Sequence, residues 1–184
     1  VYVFTRTGTV WSQQAYIKAS NPGLNDEFSR ALALDGDTLV VGAPSESSDA
    51  DGINGNQADD SATFAGAVYV FTRTGGAWSQ QAYVKASNSD AFDYFGEALD
   101  VSGDTIVVGA RGEASPAAGV GADQTMNMTA NTGAVYVFTR SGSVWSQQEY
   151  IKAAVVSGGM YFGAAVALEG ATLVVGAPRE GGNG

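Results

Sequence analysis

The residues of this chain with the capacity for chemistry are carboxylates, and they cluster. Between Ser45 and Ala65 stand Glu46, Asp49, Asp51, Asp59 and Asp60, interspersed with Asn54 and Asn56 and free of any basic residue. Clustered hard oxygens suit calcium, which takes roughly six to eight oxygen ligands from flexible loops. Asp49, Asp51, Asn54, Asn56, Asp59 and Asp60 are therefore candidate calcium ligands. The same letters also build a plain solvated loop whose Asn, Asp and Gly serve turn geometry. A third use of carboxylates is glycoside hydrolysis, where two acids stand roughly 5 to 9.5 Å apart. No spacing in this sequence singles out such a pair, and a non-enzyme is expected.

The rest of the composition narrows the chemistry further. There is no histidine and no cysteine, which removes imidazole bases, thiolate nucleophiles, disulfides and the usual zinc, copper or haem ligands. Nineteen acidic against nine basic residues give a net charge of -10. That field repels phosphate backbones and anionic lipid surfaces, so nucleic acid is not expected. Membrane insertion is not expected either, because apolar stretches such as Gly66 to Phe71 fall far short of the roughly 20 residues that span a bilayer. Apolar residues make up 45% of the 184, enough for a real core.

The elements that must position these carboxylates are set by repetition. VYVFTR begins at Val1, Val68 and Val135, and WSQQ at Trp11, Trp78 and Trp145, both at intervals of about 67 residues. The chain divides into repeats 1–67, 68–134 and 135–184, read as one continuous array over 1–184. Within a period, Val1 to Thr5 and Ala15 to Ile17 are β-prone and flank a glycine turn at Thr7-Gly8-Thr9. Phe28 to Leu34 and Thr38 to Val41 form a second hairpin around Asp35-Gly36. No window carries a sustained helical period with caps. The fold expected is all-β, with β-propeller blades of four antiparallel strands, two of them full and two half. A parallel β-helix is the competitor, with shorter repeats and no recurrent hairpins.

In register, Glu46, Glu113 and Glu180 recur in all three periods. They form either a ring of carboxylates around an axial mouth, open to a partner, or a set of acceptors for backbone N–H groups at the start of each loop. The second long loop keeps only part of the first: Asp123 stands for Asn56 and Asn127 for Asp60, while Pro116, Ala118 and Met126 replace Asp49, Asp51 and Asp59. Glu46, Glu113, Glu180, Asp123 and Asn127 are the candidate partner-binding residues of the long-loop face. Arg6, Arg73 and Arg140 stand across a short turn from Trp11, Trp78 and Trp145, a spacing for cation–π contact. The SQQ residues read as a polar cover for an exposed outer strand.

Phe95-Gly96 and Phe162-Gly163, with Gly42-Ala43-Pro44 and Gly176-Ala177-Pro178 closing the next strand, resemble FG-GAP repeats, the blades of the integrin α-subunit propeller and of secreted or cell-surface bacterial proteins. Ser29 and Arg111 depart from the pattern. The resemblance implies an extracellular or cell-surface binding and adhesion module without enzymatic activity, using its long-loop face toward a protein or glycan. It implies the strand order FG, GAP, VYVF, WSQQ within a blade. Integrin-type blades place a DxDxDG calcium loop between the first two of these, where this chain has only Asp35-Gly36-Asp37, too tight to wrap a cation. By the same order the chain starts and ends in mid-blade. A start in mid-blade without an initiator Met is expected of a processed or partial chain. The alternative is a structural subunit that self-associates head to tail through its N- and C-terminal hairpins into a ring or filament.

Overall fold

The computed structural model describes residues 1–181. Twelve strands alternate with turns and loops, and no helix occurs among the described residues. The first hairpin is β1 (Tyr2–Thr7) and β2 (Val10–Tyr16). The first complete blade is β3 (Ala31–Asp35), β4 (Thr38–Ala43), β5 (Ala67–Thr74) and β6 (Ala77–Val84), hydrogen-bonded in chain order. The second blade repeats it with β7 (Ala98–Ser102), β8 (Thr105–Ala110), β9 (Ala134–Ser141) and β10 (Val144–Ile151). A last hairpin holds β11 (Ala165–Glu169) and β12 (Thr172–Gly176). The pairing within each of these sheets is antiparallel, which excludes the β-helix.

Both faces of a complete blade are buried, and the pleat assigns alternate residues to different cores. Val40, Val68 and Val70 face the second blade in one apolar cluster, while Leu39, Val41, Tyr69 and Phe71 face the first hairpin in another. That is why VYVF and TLVVGA are apolar at every position instead of every second one.

The FG and GAP motifs act together across the seams between blades. The phenylalanine packs edge-on against its own blade's third strand, with Phe95 5.4 Å from Tyr136 and 6.1 Å from Phe138 between ring centroids. The glycine meets the preceding blade. A Cβ placed on Gly42 would lie 2.0 Å from the Gly96 carbonyl oxygen, and one on Gly109 would lie 2.0 Å from that of Gly163. Only glycine lets the two backbones approach this closely. The inner strand begins later than the apolar pattern suggests, at Ala31 and not Phe28, because Ser29 sits at φ 85° and Gly96 at φ 90°, conformations that no strand adopts.

The SQQ segments need a correction. They belong to β2, β6 and β10, and in each the ladder skips the second glutamine: Gln14, Gln81 and Gln148 are bulged out. A bulge re-aims a side chain. Gln14 Oε1 accepts from Trp78 Nε1 at 3.0 Å, and Gln81 Oε1 from Trp145 Nε1 at 2.8 Å. These glutamines fasten one outer strand to the next blade's arginine and tryptophan, whose cation–π spacing is 5.2 Å for Arg73 over Trp78 and 5.0 Å for Arg140 over Trp145.

Candidate binding face

Hairpin turns at Gly8, Gly36, Gly75 and Gly103 close the strands at one end of the blades; the long loops leave from the other. Two such loops, residues 44–66 and 111–133, lie within complete blades, and loops 17–30, 85–97 and 152–164 connect one sheet to the next.

Within the long loops the recurrent glutamates do not face a partner. Glu46 and Glu113 are each 1% exposed. Glu46 Oε2 accepts from Lys85 Nζ at 3.1 Å and from the Ser48 amide at 3.1 Å. Glu113 Oε2 accepts from Lys152 Nζ at 2.5 Å, and its other oxygen from the Ser115 amide at 3.0 Å. Burial draws both lysine pKa values down, and the paired glutamates oppose that shift. A charge removed from water needs such partners, so each glutamate ties its loop to the end of the outer strand. The open ring of carboxylates is thereby corrected for Glu46 and Glu113. Glu180 is exposed.

The same glutamates hold neighbouring sheets together. Asn21, arriving from the first hairpin, donates to Glu46 at 3.1 Å and accepts from the Tyr69 hydroxyl at 2.7 Å. Asn88 repeats this one blade on, with Glu113 at 3.3 Å and Tyr136 at 2.7 Å. The sequence carried a signal for these partners that was not read: Lys18, Lys85 and Lys152, and likewise Asn21 and Asn88, keep the interval of about 67 residues.

The candidate calcium ligands do not converge. No group of three or more acidic residues among the described residues is arranged to hold a metal ion. Their oxygens are engaged in shaping the loop. Asp59 Oδ1 accepts from the Ser61 amide and hydroxyl at 2.7 and 2.6 Å, Asn56 from the Ala58 amide at 3.0 Å, and Asn54 from the Tyr83 amide at 3.0 Å. Asp51 accepts from the Ser89 amide at 2.8 Å. Asp49 and Asp60 are exposed. In the second loop, Asp123 caps Thr125 in the same manner as Asp59 caps Ser61, and Asn127 lies exposed near the tip. The set fits turn geometry and not a cation cage.

One buried acid was not anticipated. Asp93, 2% exposed, accepts from the Asp90 amide at 3.0 Å and forms no ion pair among the described residues. Burial pushes its pKa up to about 8, with Glu113 and Asp90 adding to the shift. Its counterparts one period away are Asp26, also raised by burial, and Met160, whose sulfur takes the same place opposite the Ser157 amide.

This geometry of repeated hairpins, glycine seams and loop-anchoring glutamates has a counterpart among known repeats. The family model described as the FG-GAP repeat matches residues 11–71, 78–138 and 145–184. The chain belongs to the FG-GAP repeat family. No curated protein matches it. FG-GAP repeats build blade-like binding modules that are typically non-enzymatic and typical of extracellular or surface proteins. No helix among the described residues is long and apolar enough to cross a membrane.

Proposed function

We propose that this FG-GAP array is a non-enzymatic adhesion or binding module presented outside the cell, and that it engages a protein or glycan through its long-loop face. The observation that carries this reading is the division of labour between the two ends of the blades. Strands, glycine seams and tight turns repeat nearly letter for letter, whereas loops 44–66 and 111–133 keep a common frame, Glu46/Glu113, Ser48/Ser115, Ala50/Ala117, Gly52/Gly119, Gln57/Gln124 and Gly66/Gly133, and differ at their other positions. A rigid scaffold that varies only its loops at one end is the arrangement by which binding surfaces are diversified. The recurrent glutamates at the root of these loops, Glu46 and Glu113, are each paired with a buried lysine and serve the scaffold.

The test is a panel of matrix proteins and glycans probed with the intact chain and two variants. Asn127→Arg with Met128→Arg alters the exposed tip of the second loop and should abolish capture; Thr9→Arg on the turn face should leave it intact. Loss of capture by the turn-face variant alone would refute the assignment of the face.

A second reading, assembly between copies, is supported by the edges. Tyr2 and Phe4 on β1 are 62% and 52% exposed, although Tyr69 and Phe71 at the same positions of a complete blade are 0% and 4% exposed. In this reading the β12 edge of a second copy pairs with β1 and returns these side chains to a core, as β4 does for β5. Light scattering that finds only the 18.8 kDa species at micromolar concentration would exclude it.

A further inference from the structure

The seam between the two complete blades departs from its own repeat at several positions, and they meet at one place. Phe64 stands where the next repeat has Asn131, Phe92 where the others have Asn25 and Gly159, and Arg111 where the others have Pro44 and Pro178. Phe64 and Phe92 have φ of 58° and 70°. This left-handed region is comfortable for Asn or Gly and strained for an aromatic residue, so the repeat's own choice at these sites is the relaxed one. Strain held against an available alternative marks a functional position. Gly112 completes the departure: a Cβ there would lie 1.9 Å from the Phe92 carbonyl oxygen, so this glycine admits the strained segment.

The rings so placed form a ladder on the long-loop face. Phe92 meets Phe64 edge-on at 5.8 Å, Phe64 stacks on Tyr94 at 5.8 Å, and the Arg111 guanidinium lies 4.4 Å from the Tyr94 centroid. The ladder continues across the next seam, with Arg111 5.7 Å and Arg179 5.0 Å from the Tyr161 ring. At the first seam the equivalent positions hold Asn25, Glu27 and Pro44, and there is no ladder. Phe92 is 54% exposed, Arg179 is exposed, and Arg179 makes no ion pair among the described residues, whereas Arg111 is paired with Glu97.

We propose that this ladder is the site at which the long-loop face binds an acidic oligosaccharide; the proposal rests on that face being the binding face. Sugar rings present C–H faces that stack on aromatic rings, and a carboxylate carried at the ring edge meets a guanidinium fork. Rings alternating with guanidinium planes match a chain of uronate units. They suit a protein core poorly, because no broad apolar patch is formed. Arg179, exposed at the end of the ladder on a chain of net charge -10, is a local exception that attracts a carboxylate, with Arg111 held beside it by Glu97, while the remaining field disfavours polyphosphate.

The experiment is calorimetric titration of the intact chain with oligogalacturonate and with the neutral oligosaccharide of reduced carboxyls. Oligogalacturonate is expected to bind, with affinity falling as salt rises, and the neutral form to bind at least about tenfold more weakly, given charge-assisted contacts. Phe64→Asn and Phe92→Asn, which install the repeat's own residues, should reduce affinity about tenfold or more while leaving the melting temperature unchanged or raised. Arg179→Gln should erase the preference for the acidic form. Equal affinity in wild type and the Asn variants overturns the proposal, as does tighter binding of single-stranded DNA or an acidic peptide than of the oligosaccharide. If no saccharide binds but a protein captured by the intact chain is lost on altering Asn127 and Met128, the ladder assignment fails while the face assignment stands.

Discussion

The first hairpin and the outer two strands of the first complete blade carry nearly the same sequence and form the same bulged hairpin, yet they differ in burial. VYVFTR is open on β1 and sealed on β5, and Lys85 is 0% exposed against Glu46 while Lys18, one period earlier, is exposed beside its own Tyr16. The letters encode readiness to be buried; the neighbouring strands decide whether burial happens. Stability in such an array is a sum of unit and seam terms, so one substitution should weigh differently at equivalent positions.

The seam glycines give the largest expected contrast. Gly109→Ala drives a Cβ into the Gly163 carbonyl, with backbone on both sides and no flexible neighbour to yield. Unfolding by denaturant should show a loss of about 4 kcal/mol or more. Gly176→Ala, at the same position of the last hairpin, meets nothing nearer than Ala165 Cβ at 3.3 Å and should cost about 1 kcal/mol or less. Equal losses at the two glycines would show that the close approach is not what the GAP glycine serves.

Lysine comes next. Lys85→Met leaves Glu46 buried without its cation, and breaking a buried pair in this way costs about 3 to 5 kcal/mol. Lys18→Met, on the open hairpin, should cost less than about 0.5 kcal/mol by the same denaturant midpoint. A small effect at Lys85 would mean that Glu46 is satisfied by Asn21 and the Ser48 amide alone.

How much of this was legible follows from the same comparison. Interval and turn chemistry disclosed the blades and the Arg–Trp contacts, because these are properties of one repeat, while the strand order within a blade came from the family resemblance. The glutamate's role was open between two readings, since its lysine lies 39 residues onward in the outer strand and only the fold brings Glu46 and Lys85 together. The bulged glutamine was misread because an outer strand looks exposed until the next blade's tryptophan is placed beside it. The acidic loop suggested calcium because composition counts oxygens and does not show that Asp59, Asn56 and Asn54 already accept backbone amides. The aromatic ladder could have been found by asking where the repeats disagree, at Phe64, Phe92 and Arg111.

Asp93 and Met160 extend the comparison to pH. Asp93 has its pKa raised by burial from the ordinary carboxylate range to about 8, so folding favours the protonated form. Below the unfolded value both states are protonated and the group is neutral to stability; as pH rises toward 8 the unfolded state ionises first, and stability falls. The melting temperature should therefore decline between about pH 4 and pH 8. Asp93→Met, copying the last repeat, should flatten much of that decline, with Asp26 and Asp90, both also raised by burial, contributing to the remainder. A slope identical in wild type and variant would show that Asp93 is ionised in the fold.

The smallest effect expected is that of calcium. A ligand that binds only the folded state raises the melting temperature by mass action, so a cage in loop 44–66 would make thermal stability depend on the free ion. Here the oxygens of Asp51, Asn54, Asn56 and Asp59 are committed to amides and a hydroxyl, and no three acids converge among the described residues. Recruiting them for a cation would mean giving up the turns they hold. Adding millimolar calcium, or a chelator, should thus move the melting temperature by less than about 1 °C. A rise of several degrees, lost on replacing Asp59 by Ala but not on replacing Asp123, would show that the first long loop rearranges around the ion and that the two long loops differ in chemistry as well as in sequence.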